Sequence, residues 1–321
     1  MKRVLLTGGC GFIGSFFAEL LLKEHPDIQL VIIDALYDCA SLKNIESIRG
    51  LSSVKVVKGT IQNKELLSEL FKTYTFDTVA HFAAQTHVDN SFHSPLQFTI
   101  DNVLGIHTLL EVAREYGTVQ RFLHISTDEV YGSTSDEKPN TVESLLEPSN
   151  PYAATKAAAE MLVKSYIQSF QLPAFIIRMN NVYGPRQYPE KMIPKFLLAC
   201  KHKKALEIQG TGNQKRSMLY VEDATRAIYT LLQNGKTNCI YNIPSKDEFS
   251  VIEVAKSVCE KTGSTIPFEY ATDRPFNDTR YWIYDDVLEK LGWKQEMTFE
   301  RGLEVTRDWY YSIDPVTYWQ K

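Results

Sequence analysis

The sequence predicts an α/β fold: a doubly wound parallel sheet with a smaller α/β substrate domain. Three observations carry this. Short apolar runs alternate with amphipathic helical stretches through the first half of the chain. A glycine-rich turn joins the first strand to the first helix. Several strands end in small or polar residues, at the edge of an open parallel sheet where ligands bind.

Val4–Thr7 is a short apolar strand. Gly8, Gly11 and Gly14 follow in the spacing GxxGxxG, enclosing Phe12 and Ile13, and a helix runs from Ser15 to about Lys23. Glycine permits a tight turn and close approach to a pyrophosphate, and the helix N-terminus favours the anion. These features mark the first half as a Rossmann-type dinucleotide site. The next strand, Gln29–Ile33, ends in Asp34, twenty residues after Gly14. An acid there binds a ribose 2′-hydroxyl, which favours NAD over NADP. Val54–Lys58 is a third strand, with Thr60 and Ile61 placed under the adenine. Asn63–Thr73 is an amphipathic helix, and Asp77–Phe82 is a fourth strand. Ala83, Ala84, Gln85 and Thr86 after Phe82 suit a nucleotide lying across them. The helix Asn102–Tyr116 carries Val103, Leu104, Ile106, Leu109, Leu110 and Val112. A fifth strand, Phe122–Ser126, stops at Thr127, Asp128 and Glu129, a hydroxyl and two carboxyls in succession. Reactive side chains at such an edge point to chemistry more than to packing.

Tyr152 and Lys156 form a YxxxK pair at the start of the next helix, 25 residues after Thr127. Positions i and i+4 share a helix face, so both side chains point the same way. A tyrosine with an ordinary pKa of about 10 is only ~0.1% ionised at neutral pH. A nearby ammonium and a nicotinamide cation favour the phenolate, and lowering its pKa by ~3 units corresponds to roughly 4 kcal/mol. Tyr152 then becomes a usable base toward a sugar hydroxyl. Further strands are expected at Pro173–Arg178, ending in Asn180 and Asn181, at Met218–Val221 and at Tyr241–Pro244. Helices are expected at Met192–Cys200, from a cap at Asp223 to Leu232, and at Val251–Lys261. Arg280 and Tyr281 are expected to open a last helical segment, closed by Gly292. The tail from Trp309 to Lys321 reads as an aromatic packing strap. Lys191, Arg216 and Arg274 are the cations expected at a diphosphate, since guanidinium binds phosphate bidentately.

The chain has 321 residues, 44% of them apolar and 23% charged, with a net charge of −4. This composition gives no electrostatic reason to expect nucleic acid or an anionic membrane. No apolar run approaches the roughly 18–20 residues of a membrane span, and the N-terminus does not read as a signal peptide. The five cysteines contain no CxxC pair, so reduced thiols and a cytoplasmic location are expected, with no metal site.

TGGCGFIG, HFAAQTHVDNS, STDEVYG, NPYAATKAAAE and NNVYGPRQYPEKMIPKF together resemble the extended short-chain dehydrogenase/reductases, and within them the nucleotide-sugar 4,6-dehydratases. GTGNQKRSMLYVED and RPFNDTRYWIYDDVLEKLGW extend the resemblance over nearly the whole chain. DCASLKN with PEKMIPKF and RPFNDTRY is most similar to the dehydratase part of eukaryotic rhamnose synthases. The resemblance implies NAD as cofactor, UDP-glucose or dTDP-glucose as substrate, and a homodimer built on Asn102–Tyr116 and Tyr152–Phe170. It implies a catalytic set of Thr127, Asp128, Glu129, Tyr152 and Lys156. The implied cofactor wall is Gly8, Gly11, Phe12, Ile13, Gly14, Asp34, Thr60, Ile61, Phe82, Ala83, Ala84 and Asp101, with Tyr152 and Lys156. The implied substrate contacts are Thr86, Thr127, Asn181, Glu190, Lys191, Arg216, Arg274 and Asp278. Two positions depart from the family pattern. Thr60 stands where an Asp usually contacts adenine, and Asp101 where a Thr or Asn usually stands near the cofactor diphosphate. Residues 1–183 with about 216–240 are expected to form the cofactor domain, and about 184–215 with 241–321 the sugar-nucleotide domain. A sugar-nucleotide 4-epimerase and a non-catalytic NAD-binding protein are the alternatives. The first shares the base but needs no acid pair, and the second would typically lack Tyr152 or Lys156.

Overall fold

The computed structural model describes residues 1–134 and 137–320. Lys321, the last residue of the expected tail, lies outside the described residues. The strands in chain order are β1 (Arg3–Thr7), β2 (Gln29–Asp34), β3 (Val54–Lys58), β4 (Thr78–His81), β5 (Arg121–Ile125) and β6 (Ala174–Met179). They continue with β7 (Asn181–Tyr183), β8 (Leu206–Gln209), β9 (Lys215–Tyr220), β10 (Ile240–Ile243), β11 (Glu248–Ser250) and β12 (Phe268–Ala271).

Seven strands form one sheet in the order β10-β6-β5-β4-β1-β2-β3, and every pairing in it is parallel. Parallel strands need helical crossovers, which cover both faces and explain the near-continuous apolar runs. Alternate residues go to opposite faces. Leu5, Val31 and Ile33 enter one core cluster, and Val4, Leu6, Leu30 and Ile32 the other. The register pairs Thr7 with both Ile33 and His81, so the carboxyl ends of β1, β2 and β4 lie level along one edge.

The helices that bear on the site are α1 (Phe12–Glu24), α2 (Lys64–Tyr74), α3 (Val88–His93), α4 (Pro95–Thr99), α5 (Gly105–Tyr116) and α6 (Pro151–Phe170). The helix expected from Asn102 starts earlier. A π-helical turn, Ile100–Leu104, joins α4 to α5 and leaves both Asp101 and Asn102 buried. In α6, Asn150 is the N-cap: its Oδ1 accepts from Ala153 N at 2.9 Å, and Pro151 occupies the first turn.

A further core gathers β7, β8, β9 and helices α7 (Met192–Lys201) and α9 (Val251–Thr262), while α8 (Val221–Asn234) turns Ala224, Ala227, Ile228, Leu231 and Leu232 into a core of the large sheet. β9 pairs with β7 in parallel and with β11 in antiparallel fashion, while β8 pairs with β12. β10 pairs with β6 and belongs to the large sheet, while the sequence places residues from about 241 with the second domain. β7, assigned to the first, lies in the small sheet. A short apolar strand reads alike in either sheet, and only its partner decides.

Two further expectations change. Asp223 does not cap α8. Tyr220 is the N-cap, and the buried Asp223 carboxylate instead accepts from the backbone N–H groups of Glu296 and Met297. Arg280 and Tyr281 do not begin a helix. Arg280 bridges Lys215 and Ile283 bridges Asn140 as extended chain, and the short helix α10 starts only at Val287 (Val287–Lys290). The tail does pack. Helix α11 (Phe299–Ser312) buries Tyr310, and α12 (Pro315–Tyr318) leads to the buried Trp319. Tyr318 OH donates to Asn44 Oδ1 at 3.0 Å, and Ser41 Oγ donates to Tyr318 O at 2.9 Å. These bonds strap the tail to the loop after β2.

Candidate active site

A cavity opens over the carboxyl edge of the large sheet, where strand order turns back between β1 and β4. Its wall contains Gly8, Gly11, Phe12, Ile13, Gly14, Asp34, Thr60, Ile61, Phe82, Ala83, Ala84 and Asp101. The same wall continues to Thr86, Thr127, Asp128, Glu129, Tyr152, Lys156, Asn181, Glu190 and Lys191. A second cavity meets it at Glu129, Glu190 and Lys191 and extends past Arg216, Arg274 and Tyr281.

The glycine turn fits a dinucleotide. Gly8 has φ +72°, and a Cβ there would come within 2.7 Å of Ala83 N. A Cβ on Gly14 would collide with Gly8 O. The turn is therefore closed tightly under α1. The N-cap of α1, Gly11, offers no side chain to the first-turn N–H groups, which leaves those at the cavity wall open to an anion. Asp34 is buried, with its carboxyl accepting from Cys10 N at 2.9 Å and Leu36 N at 2.8 Å. Burial pushes its pKa up, and these two backbone donors oppose the shift. Each oxygen keeps acceptor capacity for a ribose hydroxyl.

The polar triplet after β5 is buried as a 3₁₀ turn, Asp128–Tyr131. Thr127 Oγ1 accepts from Glu129 N at 3.3 Å and donates to Asp128 Oδ1 at 3.1 Å. Asn180 Nδ2 donates to Asp128 Oδ2 at 2.6 Å. Burial, then the Glu129 charge, push Asp128 up to about 7. Burial also raises Glu129, against the charges of Arg216 and Lys191. Asn150 Nδ2 at 3.3 Å and Tyr281 OH at 3.4 Å donate to Glu129 Oε2. Two adjacent carboxyls in one buried site thus meet unequal partners, which can separate their protonation states.

Tyr152 and Lys156 both enter the cavity from the first turns of α6. Lys156 Nζ donates to Ile125 O at 2.6 Å, and burial brings its pKa down to about 8. The expected activation of Tyr152 combines this ammonium with a nicotinamide cation, and the protein by itself does not lower the phenol. Burial and the Glu129 charge push the phenol well above its ordinary value, and only a hydrogen bond with Thr127 opposes them.

Asn180, Asn150 and Tyr281 hold the two acids, and sequence reasoning gave none of them a role. The Asn150-Pro151 pair at the start of α6 is a local signal, because the residue that caps this helix also reaches Glu129. Asp278, expected as a substrate contact, is set back from both cavity walls. It lines neither cavity and is buried behind Tyr281, accepting from Tyr281 OH at 2.6 Å, Ser133 Oγ at 2.7 Å and Ser149 Oγ at 2.5 Å. It acts on the site through Tyr281.

The cations are placed on the second cavity, but each already has protein partners. Arg216 lies over the Tyr281 ring at 4.6 Å and donates to Asp278 O and Asn277 Oδ1, both at 2.9 Å. Arg274 pairs with Asp89 at 2.5 Å. Lys191 Nζ donates to Thr86 O at 2.7 Å, and Glu190 lies 3.4 Å from His87 Nδ1.

The family model described as GDP-mannose 4,6 dehydratase matches residues 5–306. The chain belongs to this family. It is 45% identical over 313 residues to the trifunctional UDP-glucose 4,6-dehydratase/UDP-4-keto-6-deoxy-D-glucose 3,5-epimerase/UDP-4-keto-L-rhamnose-reductase of Arabidopsis thaliana, covering 96% of this chain and 47% of that protein. The chain thus spans about half the length of this plant relative. It is 43% identical over 316 residues to the dTDP-D-glucose 4,6-dehydratase of Mus musculus, covering 96% and 88% of the two chains. The crystal structure of dTDP-glucose 4,6-dehydratase from Streptomyces venezuelae with NAD bound is similar at a TM-score of 0.93 and 34% identity, covering 97% of each chain.

Proposed function

We propose that the chain is an NAD-dependent nucleotide-glucose 4,6-dehydratase, converting UDP-glucose or dTDP-glucose to the 4-keto-6-deoxy sugar in a rhamnose or other deoxysugar pathway. The observation that carries this reading is the buried Asp128–Glu129 pair, set beside Thr127 and Tyr152 in one cavity. A 4-epimerase needs a base at C4 but no acid for a departing hydroxyl. A non-catalytic protein has no use for two buried carboxyls.

In this mechanism the chain moves protons and holds the sugar. A bound nicotinamide dinucleotide would take the C4 hydride and return it at C6, and its positive ring would lower the Tyr152 phenol. Tyr152 takes the C4 hydroxyl proton, and Thr127 hydrogen-bonds the same oxygen. Lys156 orients Tyr152 and the ribose. The C4 ketone acidifies the C5 proton, which Glu129 removes. Protonated Asp128 gives its proton to the departing C6 hydroxyl, and C5 is finally reprotonated. In the second cavity Lys191, Arg216 and Arg274 hold the diphosphate, with Arg274 turning from Asp89.

The seven-stranded sheet unit, now including β10, is read as the cofactor domain, and the small-sheet unit as the sugar-nucleotide domain. A homodimer through α5 and α6 is supported by exposed Leu104, Met161 and Phe170 around them; a single-subunit mass by light scattering would overturn it. Among the described residues no helix is long and apolar enough to cross a membrane. A cytoplasmic location agrees with the five free thiols; recovery in a membrane or secreted fraction would contradict it.

Incubation with UDP-glucose and dTDP-glucose side by side tests the reaction and the nucleotide together. A keto sugar lighter by one water is the expected product, and a product of unchanged mass favours the epimerase. The acid assignment also predicts a pH dependence. Asp128 must be protonated, so dehydration falls as pH rises through about 7. Asn180 stabilises the ionised form, so Asn180→Ala raises the Asp128 pKa and moves this alkaline limb to higher pH. A limb that stays in place, read from the pH profile of single-turnover dehydration, would separate Asn180 from the acid.

A further inference from the structure

One carboxylate on the cavity wall has no part in these steps. Asp101 is buried in the π-helical turn between α4 and α5. Gln62 Nε2 donates to its Oδ1 at 2.6 Å, and Tyr37 OH donates to the same oxygen at 3.3 Å. Gln85 Nε2 donates to its Oδ2 at 3.0 Å, and Gln97 Nε2 does so at 3.1 Å. Four donors fill the acceptor sites of the two oxygens, and the three amide nitrogens cannot accept a proton in return. All four donors are neutral, and among the described residues no cation is paired with its oxygens.

Its place matters as much as its charge. Asp101 lines the same cavity as the glycine turn and Tyr152. The next residue, Asn102, donates to Thr155 Oγ1 at 3.0 Å, and Thr155 lies between Tyr152 and Lys156 on α6. Asn102 also binds both Gln85 N and Gln85 O. The carboxylate therefore stands beside the segment that joins the cofactor wall to the catalytic helix.

We propose that Asp101 makes this cavity select by charge, retaining the oxidised dinucleotide over the reduced one. The inference rests on the reading that the cavity binds a nicotinamide dinucleotide. The oxidised form carries a positive ring and the reduced form does not; the remainder of the molecule is the same. A fixed negative charge in a low-dielectric wall attracts that ring, and the attraction vanishes on reduction. The reaction starts from the oxidised form. A sugar that leaves after oxidation at C4 strands the protein with the reduced form, and a wall that holds this form less firmly lets it exchange.

The test equilibrates the full chain with mixtures of NAD and NADH and reads the bound ratio by chromatography of the released cofactor. Asp101→Asn shifts the ratio toward NADH by about three- to tenfold, the order expected when one partly screened unit charge is removed from the cavity wall. Asp101→Thr, which places no amide donor against Gln62, gives the same shift and serves if the Asn variant does not fold. Asp101→Glu and Tyr37→Phe keep the charge while disturbing the hydrogen bonds. They leave the ratio unchanged even where total affinity falls, which a purely structural role for Asp101 does not explain. An unchanged ratio in Asp101→Asn and Asp101→Thr overturns the proposal. If the unaltered chain binds neither form, it is the cofactor reading that fails.

Discussion

Replacing Glu129 by Gln, or Asp128 by Asn, is expected to slow dehydration by ~10²–10⁴-fold, the usual contribution of a positioned acid or base. Oxidation at C4 is expected to persist, because Tyr152 and Lys156 are untouched. The two variants differ in what remains. Glu129→Gln leaves no group to take the C5 proton, so the C4 ketone forms and reduced cofactor absorbance builds up. Asp128→Asn keeps the C5 base but leaves the C6 hydroxyl without a proton donor. C5 hydrogen exchange with solvent is then expected to outpace loss of water. Rapid mixing with product analysis reads both. Turnover at the unaltered rate in either variant would remove the acid–base pair from the mechanism.

Tyr152→Phe is expected to abolish the step before these, with a loss of ~10²–10⁴-fold in the first oxidation. The phenol is buried, and the nearby Glu129 charge holds its pKa high, so the protein alone does not activate it. The loss is therefore expected in the appearance of reduced cofactor itself, with the affinity for the sugar nucleotide little changed. Reduced cofactor appearing at the normal rate on Tyr152→Phe would place the base elsewhere.

What the sequence reveals about this site follows the distance over which the information is encoded. The glycine turn with its following helix, the triplet Thr127–Glu129, and the one-turn spacing of Tyr152 and Lys156 are local patterns. Each could be read because strand, turn and helix geometry fixes where neighbouring side chains point. The groups that hold the acids are not local. Asn180 meets Asp128 across 52 residues, and Tyr281 meets Glu129 across 152. Asp278 is expected at the substrate only through the family resemblance, and its three hydroxyl partners, Ser133, Ser149 and Tyr281, could not be read from the sequence. The π-helical turn has no compositional signature, so Asp101 could be noticed in the sequence while its four donors could not. The position of β10 was likewise hidden, since Ile240–Ile243 offers the same apolar pattern to either sheet.

The central claim is that one sugar is oxidised at C4, loses water across C5 and C6, and recovers its own hydride at C6. The most direct measurement uses UDP-glucose or dTDP-glucose carrying deuterium at C4, with the product read by mass spectrometry and NMR. A 4-keto-6-deoxy sugar lighter by one water, with the deuterium in the C6 methyl group, is the predicted result. A C4 epimer of unchanged mass that keeps its deuterium at C4, or a keto sugar whose deuterium is lost to the solvent, would contradict it.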